Sequence, residues 1–174
     1  MAYTFPTISI TPIEGVDLTY TQQPYTSTTG DPAYPALPFR YGTRILTGNN
    51  GSATYVLAGG TIAVGDFVAI DSAFSATQLT ATNATTAVYI GCATFTAITS
   101  GYAGWVADQG NVTGNVLASA AANVALYPTA TPGYLDDAGS SVILKIAGIV
   151  AVTARGTTNG STSIIMTYPV MTEA

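Results

Sequence analysis

Acid–base or metal chemistry in this chain would have to rest on carboxylates, because its 174 residues include no histidine. Histidine is the commonest general base, the usual orienting partner of a nucleophilic serine and the commonest imidazole ligand of a metal. Its absence removes serine hydrolysis by the ordinary route. A phosphate loop of the nucleotide-hydrolase kind needs Gly-Lys-Ser or Gly-Lys-Thr between a strand and a helix, and Lys145 sits in neither setting. Paired carboxylates remain, since two of them can serve as acid and base across a glycosidic bond. The candidates are Asp66 with Asp71 and Asp136 with Asp137. Asp66 follows Gly65 in AVGDFVAID, a turn before a strand, and Asp136-Asp137 lies in the loop GYLDDAGS. Aspartate favours turns because its carboxylate bonds the local backbone, so these residues read as exposed turn formers. The spaced ligands of a calcium loop are missing. No catalytic, cofactor-binding or metal residue is expected, and the chain reads as a non-enzyme with no small-molecule substrate.

Other reactive or recognition types are few. Cys92 is the sole cysteine, so no internal disulfide forms, and GCATF around it reads as a buried strand in which the thiol packs as a small hydrophobe. Asn50, Asn83, Asn111 and Asn159 each begin a glycosylation-type triplet, as chance yields in an Asn/Thr/Ser-rich chain without a signal peptide. Trp105, the only tryptophan, suits either a core anchor or an interface anchor. Arg40 and Arg44 can clamp carboxylates on a partner or close local ion pairs.

Composition sets the class. Hydrophobic residues make up 48% and charged ones only 7%, well below the roughly 25% of ordinary soluble domains. Such a surface consists of Thr, Ser, Asn, Gly and Ala, and mixed charges that would deter association are scarce. It reads as a surface meant to be covered or to coat something. With a net charge of −5 and only Arg40, Arg44, Lys145 and Arg155 as cations, the chain cannot neutralise many phosphates, so nucleic acid is not an expected partner. No apolar run reaches the eighteen or so residues of a membrane span, and MAYTFPTISI lacks signal-peptide order. Synthesis and folding in a cytoplasm, with no membrane partner, are expected.

The elements that would position these residues divide near residue 42. Residues 1–42 carry Pro6, Pro12, Pro24, Pro32, Pro35 and Pro38, a density that forbids helix interiors and central strands. An extended arm is expected, with one short strand at 7–11. Its aromatic residues Tyr3, Phe5, Tyr20, Tyr25, Tyr34, Phe39 and Tyr41 are unlike a solvated linker. With Arg40 and Arg44 they form the candidate interface, ordered on neighbouring subunits rather than as an independent unit.

From residue 43 to 174, short Val-, Ile-, Thr- and Tyr-rich runs alternate with turn signals such as Gly65-Asp66, Gly110-Asn111, Pro132-Gly133 and Asn159-Gly160. Strands are expected at 55–57, 67–70, 87–98, 102–108, 112–118, 124–127, 142–154 and 161–168. Residues 117–126, LASAAANVAL, suit a short helix or a broad turn. The run VILKIAGIVAVTA at 142–154 is apolar on both faces apart from Lys145, as in a strand buried between layers or in a covered barrel wall. Gly148 within it marks a bulge or a close backbone contact. Trp105 and Ile149 should be buried in one core. The fold class is all-β: a single compact β-barrel or β-sandwich domain behind an extended proline-rich N-terminal arm.

The stretches GTRILTGNNGSATYVLAGGTIAVGDFVAID, GYAGWVADQGNVTGNVLASAAANVALYPTATPGYLD and KIAGIVAVTA resemble the small capsid-associated proteins of tailed bacteriophages. In that family a Gly-x-x-Trp-Val strand, a Gly turn, an Ala-rich segment and an Ala-Gly-Ile return strand recur within a β-barrel or sandwich. The resemblance implies a head-decoration or cement role at the virion surface. Its partners would be major capsid protein subunits and copies of itself, often as trimers, and it carries over no catalytic residue. A tail, neck or fibre component and a glycan-binding surface module remain open alternatives.

Overall fold

The computed structural model of the chain describes residues 16–24, 37–47, 51–138 and 144–173. The strand expected at 7–11 lies outside them. The fold is all-β, 49% strand against 3% helix. In chain order the strands are β1 (Arg44–Thr47), β2 (Gly51–Ala58), β3 (Phe67–Ile70), β4 (Ser75–Gln78), β5 (Tyr89–Cys92), β6 (Ala103–Val116), β7 (Tyr127–Pro128), β8 (Leu135–Asp136), β9 (Leu144–Ala151) and β10 (Gly160–Glu173). One 3₁₀ turn spans Asn83–Thr86. No helix among the described residues is long and apolar enough to cross a membrane.

Five strands close a barrel in the order β2-β4-β3-β5-β6, with β6 returning to β2. Its pairings are antiparallel except β2 with β4. Val56, Val68, Ile70, Ala76 and Val106, drawn from four of these strands, fill it. β6 is 14 residues long and leaves the barrel partway: residues 103–107 and Gln109 pair with β2, and 109–116 with β10. β9 then pairs with β10, and this extension packs over the outside of β3 and β5. Phe67, Ile90 and Cys92 from the wall meet Val112, Ile149, Ile164 and Met166 there. Barrel and sandwich layering thus coexist in one domain.

A third core lies on the opposite wall. Ala53, Tyr55, Ala103 and Trp105 are covered by Val16, Leu18, Leu37, Phe39 and Tyr41 from residues preceding the barrel. Phe39 meets the Trp105 ring edge-on at 5.0 Å, and Tyr55 meets it at 5.0 Å. This explains why β2 is buried along almost its whole length, since one face fills the barrel and the other lies under the arm. Full burial of a side chain of this size stabilises by roughly 1.5–3 kcal/mol. Trp105 is therefore a core anchor, and Ile149 is buried as expected, but the two do not share one core: Trp105 lies under the preceding segment and Ile149 under the extension, on opposite sides of the barrel.

Several expectations change. The strands at 102–108 and 112–118 are one strand, β6, because Gly110 at φ 110° bends the chain without reversing it. Gly51 passes so close that a Cβ on Gly110 would lie 2.9 Å from the Gly51 Cα. Of the two alternatives for residues 117–126 the turn holds rather than the helix, since Ser119 (φ 67°) and Asn123 (φ 59°) are left-handed. The run at 87–98 keeps only Tyr89–Cys92 as strand. β9 is not buried between layers: Ile146, Ile149 and Ala151 face the core while Val150 and Val152 face outward. Gly148 does mark a close contact, as expected. It has φ 79°, a Cβ there would come 2.7 Å from the Thr167 carbonyl, and opposite it the β10 ladder skips from Met166 to Val170.

Candidate functional site

Of the carboxylates expected in turns, Asp71 behaves as such. It is exposed and accepts hydrogen bonds from the backbone N–H of Ala73 (2.8 Å) and Ser75 (2.9 Å). Asp66 does not, for it is 2% exposed. Its carboxylate accepts from the Ala63 N–H (2.8 Å), Gln78 Nε2 (2.6 Å) and Asn115 Nδ2 (3.1 Å), so it ties the β2–β3 connection to β4 and β6. The physical reason is that side-chain donors from two strands converge on it, which residue spacing does not reveal. Asp136 and Asp137 are half-buried; the Asp137 N–H donates to Asp136 Oδ1 (2.9 Å), and the Ala121 N–H donates to Asp137 Oδ2 (2.9 Å). Burial, and secondarily the neighbouring Asp137, raises the Asp136 carboxyl above its ordinary pKa. No group of three or more metal-ligating side chains occurs among the described residues. Cys92 is fully buried, and burial pushes its thiol pKa up.

The charged constellation of the molecule is one the sequence reading passed over, Asp108 with Arg44. Ser52 pairs with Gln109 and Ala53 with Ala107, leaving Asp108 as the extra residue of a β-bulge in β6. Bulges re-aim side chains, and here the carboxylate turns onto the hydroxyls of β2. Ser52 Oγ donates to Oδ1 at 2.5 Å, and Thr54 Oγ1 donates to Oδ2 at 2.6 Å. Arg44 lies opposite Thr54 across the β1–β2 ladder and donates its Nε to Oδ2 at 3.0 Å and its Nη2 to Ser52 Oγ at 3.0 Å. Its guanidinium lies 4.0 Å from the centre of the Tyr168 ring. Arg44 thus closes a local ion pair, one of the two roles its position allowed. The clue in the sequence was a lone carboxylate following the tryptophan strand, too generic to act on.

Arg44, Thr54, Asp108 and Tyr168 line a cleft of about 360 Å³. Phe74 and Tyr89 line it too, with rings stacked at 6.1 Å and 6°. Ile70, Ile90 and Val170 supply apolar lining. Tyr168 occupies the second bulge of the sheet, in β10.

The expected interface residues separate into three groups. Tyr3, Phe5, Tyr25 and Tyr34 lie outside the described residues. Phe39 and Tyr41 rest on the chain's own barrel, Phe39 edge-on to Tyr55 (5.5 Å) and Tyr41 stacked on it (6.3 Å). Tyr20 is half-buried and donates its hydroxyl to Gln22 Oε1 (3.1 Å), while Arg40 is exposed. The backbone of Gln22 pairs with Ala103 in both directions (2.9 and 2.6 Å), adding a bridge to the edge of β6. Residues 16–24 and 37–42 are therefore ordered on the chain's own domain, because Tyr55 and Trp105 offer them an apolar seat. Beneath them the Tyr55 hydroxyl and Trp105 Nε1 are buried without a hydrogen-bond partner among the described residues. Burial, then the nearby Tyr20 and Tyr41, pushes the Tyr55 hydroxyl pKa up.

An apolar column marks the outer face of the extension. Val150 (39% exposed) on β9 lies opposite Ile165 (47%) on β10, and Val152 (38%) follows just beyond the end of β9. Compared with protein-family models and with curated proteins, the chain matches none.

Proposed function

We propose that the chain is a structural virion protein that decorates or stabilises a phage capsid, seated on neighbouring capsid subunits and on copies of itself. The observation that supports this reading most is the outward apolar column of Val150, Val152 and Ile165 on a chain with only 7% charged residues. Contiguous apolar surface of this kind marks places where another protein packs, and the scarcity of charge around it removes the usual deterrent to association. The resemblance of the Trp105 and Ala147-Gly148-Ile149 segments to capsid-associated proteins points the same way. A closed barrel with a layer packed over one wall gives such a coat a rigid body, and it needs no catalytic group. The binding partners are protein surfaces rather than nucleic acid, given the net charge of −5.

The test is location. Gradient-purified particles from the source culture should contain the chain by peptide mass spectrometry, and immunogold should label their heads. Ile165→Asp, placing a charge in the column at an exposed position, should abolish add-back to heads while leaving the melting temperature unchanged. Absence from particles, or label confined to tails, would overturn the proposal.

A further inference from the structure

We infer that the cleft between Arg44 and Tyr89 is a binding site for a neutral pyranose of a glycan. The inference does not depend on the capsid reading, because a barrel in any setting presents this cleft.

Its walls are held in place at a cost. Phe74 (φ 60°) and Tyr168 (φ 52°) are bulky residues in the left-handed region, and both line the cleft. Such strain persists where the surrounding structure over-determines it, and it gathers at binding and catalytic sites. Gly42 (φ 81°) lies under Phe74 so closely that a Cβ would come 2.4 Å from the Phe74 ring. Asp108 and Tyr168 each sit in a β-bulge, a device found beside functional sites. Two separate bulges and two strained aromatic residues thus converge on one concavity. Its volume of about 360 Å³ falls within the range of small-ligand sites.

The chemistry of the walls selects the ligand class. Tyr89 and Tyr168 are each 48% exposed. Phe74 stacks against one face of Tyr89, and Arg44 lies over one face of Tyr168, so each ring keeps surface for a ligand. The negative face of an aromatic ring attracts the weakly positive C–H groups that a pyranose gathers on one side. Between the rings the polar groups are fixed and balanced. Arg44 carries five N–H donors, of which Nε and one on Nη2 are engaged among the described residues, and its side chain is 42% exposed. Asp108, with a side chain 13% exposed, cancels the charge and locks the guanidinium plane. A net-neutral site in a protein of charge −5 does not select an anion. Neither does it offer a cation an unpaired carboxylate, since Asp108 already accepts from Ser52, Thr54 and Arg44. A ligand with an apolar face and a rim of uncharged hydroxyls fits both features.

The full-length chain, fluorescently tagged, is applied to a printed array of neutral hexose, N-acetylhexosamine and deoxyhexose glycans alongside glucuronate and sialate glycans. Saturable binding to a subset of the neutral glycans is expected. Binding should weaken at least tenfold in Tyr89→Ala, whose ring is half exposed, and in Tyr168→Gly, which suits the left-handed backbone. Unchanged melting temperatures show that both variants fold. If one does not, the other decides. No binding to any neutral glycan, binding confined to the acidic ones, or neutral binding that survives loss of either ring in a folded variant would each overturn the inference.

Discussion

Replacing Trp105 tests the architecture most directly, because that ring joins the barrel wall to the segment laid over it. The side chain is wholly buried and contacts Phe39 and Tyr55, each at a centroid distance of 5.0 Å. Truncating a buried tryptophan to alanine costs about 3–5 kcal/mol, from lost burial and the cavity left behind. The lower end applies here for two reasons. Trp105 Nε1 has no partner among the described residues, so its removal orphans no acceptor there, and a buried unpaired donor costs about 1–3 kcal/mol to keep. The half-buried residues above it, Leu37 and Phe39, can also settle into part of the space. We expect Trp105→Ala to cost about 3 kcal/mol, or roughly 6–12 °C in melting temperature for a chain of this size. Trp105→Phe keeps a ring against Phe39 and Tyr55 and removes the unpaired N–H, so it should lie within about 1 kcal/mol of the parent. Urea unfolding followed by far-ultraviolet circular dichroism measures both variants. A cost below about 1 kcal/mol for the alanine variant would show the ring to be peripheral. A phenylalanine variant as unstable as the alanine one would show that Nε1 has a partner after all.

Gly148→Ala should destabilise by about 2 kcal/mol or more, from the left-handed backbone and the 2.7 Å approach to the Thr167 carbonyl, measured by thermal melting; an unchanged melt would refute that packing. Asp66→Ala leaves the Ala63 N–H, Gln78 and Asn115 without their shared acceptor and should cost on the order of 3 kcal/mol in urea, whereas Asp71→Ala should cost about 1 kcal/mol. Asp136→Asn carries a sign that depends on pH. The folded-state pKa of Asp136 is raised, so its contribution to stability falls as pH climbs from the ordinary carboxylate value through the raised one. The variant should therefore melt above the parent at pH 7 and converge with it near pH 3, and a lower melt at pH 7 would contradict the assignment. Cys92, buried and with its thiol pKa pushed up, should resist a thiol reagent at pH 8 in the native protein and react fully in denaturant; prompt native reaction would show the β5 wall to be open.

Much of the all-β character was legible in residue order because it depends on local chemistry. Val, Ile, Thr and Tyr suit a half-buried pleated surface, and prolines before residue 42 exclude regular interior structure there whatever surrounds them. Gly148 announced a close contact because only a residue without a Cβ tolerates one, and Trp105 announced burial through its size. The lack of histidine narrowed the chemistry without any structure. Tertiary structure decided what depends on distant partners. It made Asp66 a buried acceptor, since Gln78 and Asn115 reach it only once β4 and β6 flank the turn. It joined two expected strands into β6, because a glycine at φ 110° can bend a chain instead of turning it. The cleft was invisible for the same reason: Arg44, Asp108 and Tyr168 are separated by about sixty residues at each step. Two bulges bring them together, and a bulge is a matter of which strand pairs with which, a property of the folded sheet rather than of any one segment.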